Sequence, residues 1–561
     1  MIVGIDLGTT NSLIGSYVSG NRVLFPNVSG SFLTPSFVSL DEDGIIVGEA
    51  ARDRLITHPD RSVGAFKRWM GTSRETQLGQ KSFRAEELSS FILRSLMADA
   101  EAATGERPTE AVISVPAYFS DAQRNATRIA GELAGLKVER LINEPTAAAL
   151  AYGLEKRDRE ARFLVFDLGG GTFDVSIVEI FDGVVEVHAT AGDNFLGGND
   201  FLDLLVDRAA SDLGLDYQRL PPADQLQMRR RLDLLKAKLS TSDTVELKLS
   251  LSGKDYSWEF NQEQFAELST PLVQRMRLPL ERALRDANLS GQELDEIVLV
   301  GGATRMPLVV KMVTRLLGKL PLRTVNPDEV VAHGAVVASG LKDRNEALQE
   351  IILTDVCPYT LGLEVMRRDP QNVFHDGYFE PIINRGTTVP VSREKTFYPI
   401  SETQQLIRCQ VYQGESPRVE KNILLGSLEV PLPSSNDPEA RSIQVRYTYD
   451  INGVLQVETT VTGTGEVHEL IFERTPGAMT PEELRASLEK LSAIKVHPRA
   501  RHENLQIIAR AERVFEEYLD HRDMLTDMIL AFKSILESQD DRRIAEVRKL
   551  IEIDLDRIEK R

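Results

Sequence analysis

Two glycine-rich turns in this sequence carry aspartate and threonine side chains at matching positions. Residues 5–10 read IDLGTT and residues 166–172 read FDLGGGT, each after an apolar segment typical of a strand. Glycine lets backbone N–H groups approach an anion closely, and threonine hydroxyls stand beside them. Aspartates suit Mg²⁺, which keeps several waters and takes few direct protein ligands. The two turns therefore predict two similar halves that hold a polyphosphate and its metal.

Other common phosphate-binding patterns do not fit these turns. The spacing is neither the G-x-G-x-x-G of dinucleotide-binding folds nor the G-x-x-x-x-G-K-[ST] of P-loop proteins. A single glycine-rich turn is usually structural, but two matched copies in the same strand-and-turn context favour a binding role.

A third glycine turn and one helix start carry weaker signals. Gly301 and Gly302 follow the strand pattern 297–300, and Arg305 comes soon after, where its guanidinium could stack on a flat ring. Taken alone, such a turn more often packs a helix. Glu144 lies just before the helix pattern 147–152, where ordinary complementation of the helix dipole is the alternative interpretation.

Composition limits the classes of partner. With 561 residues the chain is too long for one hydrophobic core, so two or more domains are expected. A formal net charge of −19 makes nucleic acid and membrane surfaces poor partners.

The two cysteines, Cys357 and Cys409, have neither disulfide-framework nor metal-site spacing. The N-terminus lacks a signal-peptide pattern, and no long apolar run follows, so a cytoplasmic location is predicted.

The predicted secondary structure that must position these residues changes from one part of the chain to the next. The first two thirds alternates apolar runs with helical periodicity, as in α/β layers, and Ser120 with Gln123 predicts a capping box. Short alternating strands from 358 to about 472 indicate an all-β module, and helices follow from Thr480. An apolar stripe from Ile544 to Ile558 predicts that the last helix packs intramolecularly. The apolar string 350–356 predicts a linker that binds something, or else the first strand of the β module.

Four motifs together resemble those of the 70-kDa heat-shock chaperone (DnaK-type) family, and the short chain is most similar to its HscC-type bacterial members. They read DLGTTNS at 6–12, NEPTAAA at 143–149, DLGGGTFD at 167–174 and VGGATRMP at 300–307, in the family's order. The resemblance covers nearly the whole chain. It implies a multidomain fold: an actin-like α/β ATPase of two lobes at 1–345, an interdomain linker at 346–356, a β-sandwich peptide-binding domain at 357–474 and a truncated α-helical lid at 475–561.

The resemblance also implies that ATP or ADP binds between the lobes with Mg²⁺, and with K⁺ as a monovalent cation. Lys67 matches the family's catalytic lysine, which orients the attacking water near the γ-phosphate. Glu144 would join the catalytic network at the lobe junction, and Thr172 would contact phosphate. The aspartates that would organise cations and water are Asp6, Asp167 and Asp174, with Mg²⁺ held through water near Asp6 and Asp167.

The remaining nucleotide contacts are implied by the same resemblance, position by position. They are Gly8, Thr9, Thr10, Gly169, Gly170, Gly171, Gly198, Lys236, Ser240, Gly301, Gly302, Arg305 and Asp328.

Positions outside the cleft match the family's coupling and peptide-binding residues. Pro116 and Arg124 match its proline switch and relay arginine, which tie the nucleotide state to the other domain. The matching linker positions are Ile351, Ile352, Leu353 and Asp355, with Thr354 in place of an expected leucine. The matches to the arch and central pocket around an apolar peptide side chain are Met366, Ile400 and Ile407, for which core packing is the alternative.

The resemblance implies an ATP-driven chaperone that releases extended hydrophobic peptides on ATP binding and captures them after hydrolysis, with a J-domain co-chaperone as partner. The alternatives are a non-catalytic chaperone regulator and an actin-fold small-molecule kinase, although a kinase has no use for the apolar linker. Two departures stand out: the stretch 71–86 is short, and so is the loop 249–259. Dependence on an exchange factor therefore does not carry over.

Overall fold

Most of the chain is described by the computed structural model. The described residues are 1–42, 44–153, 160–181, 184–322, 326–343, 352–369, 373–450, 455–472, 486–487, 499–518, 521–537 and 541–559. Among them, no helix combines the length and the apolar composition needed to cross a bilayer. The predicted start of a helix at Thr480 lies outside these residues.

The first lobe, residues 1–143, is built on a six-stranded sheet. The strands of the whole lobe are β1 (Ile2–Leu7), β2 (Asn11–Val18), β3 (Asn21–Leu24), β4 (Thr34–Pro35), β5 (Phe37–Leu40), β6 (Ile45–Val47), β7 (Ser62–Gly64), β8 (Glu75–Leu78), β9 (Lys81–Arg84), β10 (Glu110–Val115) and β11 (Lys137–Asn143). The sheet has the order β11-β10-β1-β2-β3, with β4 beside β2. Its helices are α1 (Glu49–Thr57), α2 (Ala85–Thr104) and α3 (Asp121–Ala134). The predicted capping box at the start of α3 is confirmed, because the Ser120 N–H donates to Gln123 Oε1 at 3.0 Å.

The second lobe, residues 160–322, repeats the central part of this arrangement. Its strands are β12 (Ala161–Leu168), β13 (Phe173–Phe181), β14 (Val184–Asp193), β15 (Thr244–Leu251), β16 (Lys254–Asn261) and β17 (Glu296–Val300). Its helices are α5 (Gly198–Asp212), α6 (Pro222–Lys238), α7 (Gln262–Leu268), α8 (Thr270–Asp286) and α9 (Pro307–Leu317). The hairpin β12–β13 with its parallel neighbour β17 corresponds to the hairpin β1–β2 with β10. The repeat in the sequence is thus also a repeat in the fold.

Two helices pack between the sheets and hold the lobes together at their base. They are α4 (Glu144–Gly153) and α10 (Val330–Lys342), and they share one core with strands of both sheets. The backbones cross closely, since a Cβ on Gly334 would lie 1.8 Å from the Ala147 carbonyl oxygen. Only glycine fits at this crossing. The start of α4, where Glu144 lies, is therefore fixed by packing.

The β module begins with a strand that pairs with the second lobe. Its strands are β18 (Ile352–Val356), β19 (Leu361–Arg368), β20 (Phe374–Ile383), β21 (Thr388–Val389), β22 (Val391–Phe397), β23 (Leu406–Gln413), β24 (Ile423–Pro431), β25 (Ile443–Tyr449), β26 (Leu455–Val461) and β27 (Val467–Phe472). Two four-stranded sheets, β20-β19-β23-β24 and β22-β25-β26-β27, enclose a common apolar core. β18 runs parallel to β14, and β21 pairs with its other edge. The segment at 350–356 is therefore a strand from Ile352 onwards, and it docks on the second lobe.

Among the described residues, three helices form the C-terminal bundle: α11 (Arg499–Glu517), α12 (Arg522–Glu537) and α13 (Asp541–Glu559). The predicted apolar stripe of the last helix is confirmed, with Ile551 and Leu555 buried in the core of the bundle. The bundle also contacts the first lobe, because Ala509 of α11 packs against Ala50 and Ala51 of α1. In this conformation the bundle and the β module both rest on the two lobes.

Candidate functional site

The two glycine-rich turns face each other across a cleft between the lobes. A Cβ on Gly170 would lie 2.0 Å from Thr10 Oγ1, so the second turn can pass this close to the first only as glycine. The predicted residues that line the cleft are Asp6, Gly8, Thr9, Thr10, Lys67, Glu144, Asp167, Gly169, Gly170, Thr172, Gly301, Gly302 and Asp328. Residues from all three turns, and from both lobes, are thus brought to one cavity.

Lys67 lies at the bottom of this cleft in an ion pair. It belongs to the short 3₁₀ helix Phe66–Trp69, and its Nζ lies 2.8 Å from Glu144 Oε1. Lys67 and Glu144 are both buried. A lysine in such a place keeps its charge only beside an acid, so Glu144 holds the Lys67 ammonium at a fixed position.

Three buried aspartates surround this pair. Asp6 accepts a hydrogen bond from Ser114 Oγ at 2.7 Å, and Asp174 accepts one from the Tyr118 N–H at 3.1 Å. Burial, followed by the charge of Glu144, raises the pKa of Asp6 to about 7 and the pKa of Asp174 to about 8. The same two causes raise the pKa of Asp167 well above its ordinary value. Asp167 and Asp174 are partners across the hairpin β12–β13.

This charge distribution fits a bound cation. Four acidic side chains share the bottom of the cleft with Lys67, so buried negative charge exceeds the positive charge nearby. A divalent ion at this place would relieve that repulsion and lower the pKa of the acids. Among the described residues no group of three or more His, Cys, Asp or Glu side chains could hold a metal ion directly, so these carboxylates would hold Mg²⁺ through water. The residues present therefore fit Mg²⁺ accompanied by the phosphates of a nucleotide.

The third glycine turn forms one wall of the cleft. Gly301 has a φ of 82°, a left-handed backbone that favours glycine, and its N–H donates to the Pro327 carbonyl at 2.8 Å. Arg305 lies 2.6 Å from Asp328 in an ion pair and is about half exposed. The guanidinium is thus held at the rim of the cleft, where a ring bound against the turn would meet it.

The other predicted nucleotide contacts lie beside the cleft. Gly198 begins α5, and its N–H donates to the Gly169 carbonyl at 2.9 Å. Gly171 follows Gly170 in the turn. Lys236 Nζ donates to the Gly198 carbonyl at 3.0 Å, and Lys236 and Ser240 line a neighbouring cavity on the second lobe.

A chain of buried and partly buried polar contacts joins the cleft to the docked linker strand. Arg124 Nη2 donates to Asn143 Oδ1 at 2.7 Å, and Asn143 Nδ2 donates to Asp355 Oδ2 at 2.6 Å. Thr146 Oγ1 donates to the same Asp355 oxygen at 3.2 Å. Burial raises the pKa of Asp355 despite these bonds. Asn143 immediately precedes Glu144, so the linker is one residue away from the partner of Lys67.

The remaining predicted coupling residues are only partly described. Pro116 is buried, and its carbonyl accepts the Phe119 N–H at 3.1 Å, in the loop that Arg124 also holds through Ala117. Ile352 and Leu353 pair through their backbones with Val184 and Val185, and Ile351 lies outside the described residues.

The three predicted peptide-contacting residues occupy different places in the β module. Met366 in β19 and Ile400, which follows β22, are exposed, at 41% and 42% of their surface. Ile407 in β23 is partly buried and packs against the core between the two sheets. The Ile407 side chain therefore packs partly in the core, as the alternative interpretation expected.

Two contacts of the cleft were missed in the sequence analysis. Arg68 Nη2 lies 2.6 Å from Asp200 Oδ2, and this ion pair joins the two lobes. The pair lies beside the second phosphate turn, since a Cβ on Gly171 would lie 2.6 Å from Arg68 Nε. The link through Asn143 was missed as well. Arg68 is adjacent in sequence to the predicted Lys67, and Asn143 is adjacent to the predicted Glu144. This adjacency was the one available signal.

Comparison with known proteins gives a consistent result. The profile of the family described as Hsp70 protein matches residues 2–557. The chaperone protein DnaK of Thermotoga neapolitana is 41% identical over a match that covers 91% of this chain and 86% of that protein. The DnaK of Thermotoga maritima is 39% identical over 96% of this chain and 93% of that protein. The DnaK of Thermosipho africanus is 38% identical over 99% of this chain and 95% of that protein.

Proposed function

The chain belongs to the Hsp70 family, and we propose that the cleft between its two lobes is where it binds and hydrolyses ATP. The protein is an ATP-dependent chaperone and an ATPase, and it binds nucleotide and unfolded peptide segments. The observation that carries the proposed site is the buried Lys67–Glu144 pair among Asp6, Asp167 and Asp174, at the meeting point of both glycine-rich turns.

Each side chain at the bottom of the cleft has a role in this proposal. Lys67, fixed by Glu144, orients the attacking water and faces the charge that develops on the γ-phosphate. Thr10 and Thr172 hydroxyls donate to the phosphates. Asp6 and Asp167 would hold Mg²⁺ through water, and the bound ion would neutralise phosphate charge. We place K⁺ near Asp174, as the second cation that the excess of carboxylates favours.

The opposite end of the cleft holds the nucleoside. The turn at Gly301 and Gly302 supports the ring, and Arg305 is held over it by Asp328. The adjacent Lys236 and Ser240 contact the nucleoside from the second lobe. This end decides which base is accepted, whereas the phosphate end decides whether hydrolysis occurs.

The layout of the chain supports coupling between ATP and peptide. In the proposed division, the ATPase covers 1–345, the linker 346–356, the peptide-binding β sandwich 357–474 and the short helical lid 475–561. The linker strand β18 extends the second sheet, and Asp355 contacts Asn143 beside the catalytic pair. ATP thus favours a docked linker and a released peptide, and hydrolysis reverses both.

We also propose a peptide site on the β module and a co-chaperone partner. An extended apolar peptide lies on the β module near Met366, Ile400 and Ile407, with main-chain hydrogen bonds and one inserted side chain. A J-domain co-chaperone triggers hydrolysis, and the protein acts in the cytoplasm. The similarity to HscC-type members stays a prediction.

ATP turnover with and without an unfolded apolar peptide and a J-domain tests this function. Lys67→Ala should slow single-turnover hydrolysis by roughly 10² or more, as loss of one preorganised donor does. Lys248→Ala is the matched control, because Lys248 is 75% exposed on the β15–β16 hairpin. Hydrolysis in Lys67→Ala at the rate of the control would contradict the proposed site.

A further inference from the structure

Five charged side chains from four helices meet in one place, which we call the bridge cluster. They are Asp53 of α1, Arg230 of α6, Arg513 and Glu517 of α11, and Glu559 of α13. Asp53, Arg513 and Glu517 are buried. Since α1 belongs to the first lobe, α6 to the second, and α11 and α13 to the C-terminal bundle, the cluster joins all three parts of the molecule.

Arg513 is at the centre of the bridge cluster. Its Nε lies 2.9 Å from Asp53 Oδ1, its Nη1 donates to Glu517 Oε2 at 2.9 Å, and its Nη2 contacts Glu559. Burial alone would lower the pKa of Arg513, but the three carboxylates outweigh it and hold that pKa above the ordinary value. Removal of Arg513 would leave these carboxylates facing one another in a buried place.

The direct contact between the lobes is the longest in the cluster. Arg230 Nη1 lies 3.6 Å from Asp53 Oδ1 but 3.1 Å from Glu517 Oε1. Burial, and then the charge of Arg513, lowers the pKa of Arg230 to about 10. Arg230 therefore depends on the carboxylate of the bundle as well as on Asp53, and the bundle strengthens the link between the lobes.

A second set of contacts fastens the bundle to each lobe separately. On the first lobe, Ala509 packs with Ile46, Ala50 and Ala51 in an apolar cluster. On the second lobe, the Arg231 guanidinium lies 5.0 Å from the centre of the Tyr518 ring. The bundle thus spans both lobes rather than resting on one.

We infer that the docked C-terminal bundle holds the two lobes together and so slows the release of ATP. The inference rests on the proposed ATP site, because a nucleotide enclosed by two lobes leaves when they separate. Separation must break the contact of Arg230 with Glu517 or that of Arg513 with Asp53, and either leaves a buried charge without its partner.

Release of a fluorescent ATP analogue from the full-length protein, chased with unlabelled ATP in a stopped-flow instrument, measures this effect. Arg513→Gln should release the analogue on the order of tenfold faster than wild type, within the usual range of coupling between sites. Asp53→Asn removes the lobe-side partner and leaves the bundle intact, so it should accelerate release similarly even if a bundle variant folds less well. The double variant should be no faster than either single one.

Arg557→Gln is the matched control, because Arg557 is 74% exposed on α13 and pairs with Asp554 of the same helix. It should release the analogue at the wild-type rate. Unchanged release in both Arg513→Gln and Asp53→Asn would overturn the inference. Faster release in Asp53→Asn and Arg230→Gln, but not in Arg513→Gln, would show that the lobes hold each other without the bundle, and would overturn it too. If the wild-type protein did not bind the analogue, the proposed ATP site would be wrong instead.

Discussion

Replacing Asp355 by alanine should weaken docking of the linker strand on the ATPase lobes. The Asp355 carboxylate accepts hydrogen bonds from Asn143 at 2.6 Å and from Thr146 at 3.2 Å, and both are lost in the variant. The backbone pairing of β18 with β14 does not depend on this side chain and should remain available. The substitution therefore separates the polar contact of the linker from its main-chain contact.

The size of the effect follows from the surroundings of the carboxylate. Hydrogen bonds to charged groups contribute about 1.5–3 kcal/mol each, so the two bonds have a gross value of about 3–6 kcal/mol. Burial of the carboxylate, which raises its pKa, offsets much of this value. A net loss of about 1–2 kcal/mol would shift the ratio of docked to undocked molecules roughly 5- to 30-fold toward the undocked state.

Limited proteolysis of the 346–356 segment in ATP and in ADP measures this ratio. In ATP, wild type should be cut slowly and Asp355→Ala several-fold faster, whereas in ADP both should be cut at similar rates. Asp376→Ala is the control, since Asp376 is an exposed carboxylate of the same β module. Equal cleavage of wild type and Asp355→Ala in ATP would refute the argument, and equal cleavage of wild type in ATP and ADP would refute nucleotide-dependent docking altogether.

Three other perturbations test separate parts of the molecule. Thr172→Ala should leave ATP affinity nearly unchanged and slow single-turnover hydrolysis by roughly 10–10³, because its hydroxyl helps more in the transition state; parallel losses of affinity and rate would count against this. Ile407→Phe should fill the peptide pocket and raise the peptide Kd, through faster dissociation measured with a fluorescent peptide, and unchanged dissociation would place the pocket elsewhere. Burial raises the pKa of Asp121 to about 6, and Asp121 accepts a hydrogen bond from Tyr449 of the β module at 3.2 Å. A carboxyl whose pKa is raised in the docked state favours docking below its ordinary pKa and loses that contribution as pH rises through about 6. Docking measured by linker cleavage should thus strengthen between pH 7.5 and 5.5 in wild type but not in Asp121→Asn, and an identical pH dependence in both would exclude this carboxyl.

The two glycine-rich turns that line the cleft were recognisable from sequence because their pattern is local. A strand, an aspartate and a run of glycines follow one another in the chain, so the motif itself indicates which residues form each turn. The helix start at Ser120 was predictable for the same reason, since a capping box involves residues three positions apart. Periodicity likewise indicated the buried stripe of α13.

Contacts between distant segments could not be predicted in this way. Arg68 with Asp200, and Arg513 with Asp53, join residues far apart in the chain, and nothing in their local sequence distinguishes them from solvated charges. The meaning of the 350–356 segment was ambiguous for a related reason. Its apolar residues suit either a strand or a docking linker. The segment is both, because it forms a strand that docks on β14, and β14 lies about 170 residues earlier in the chain.

The arrangement at the start of α4 connects the linker with the Lys67–Glu144 pair of the proposed ATP site. Asn143 bonds to Asp355 of the linker, and Glu144, the next residue, bonds to Lys67 in the cleft. The helix that begins there crosses α10 so closely that a Cβ on Gly334 would overlap the Ala147 carbonyl. Close-packed helices of this kind shift between discrete positions rather than bending gradually. If the γ-phosphate displaces Glu144 in the proposed ATP site, we therefore expect the shift to be transmitted along the start of α4 and to change the geometry that Asn143 offers to Asp355.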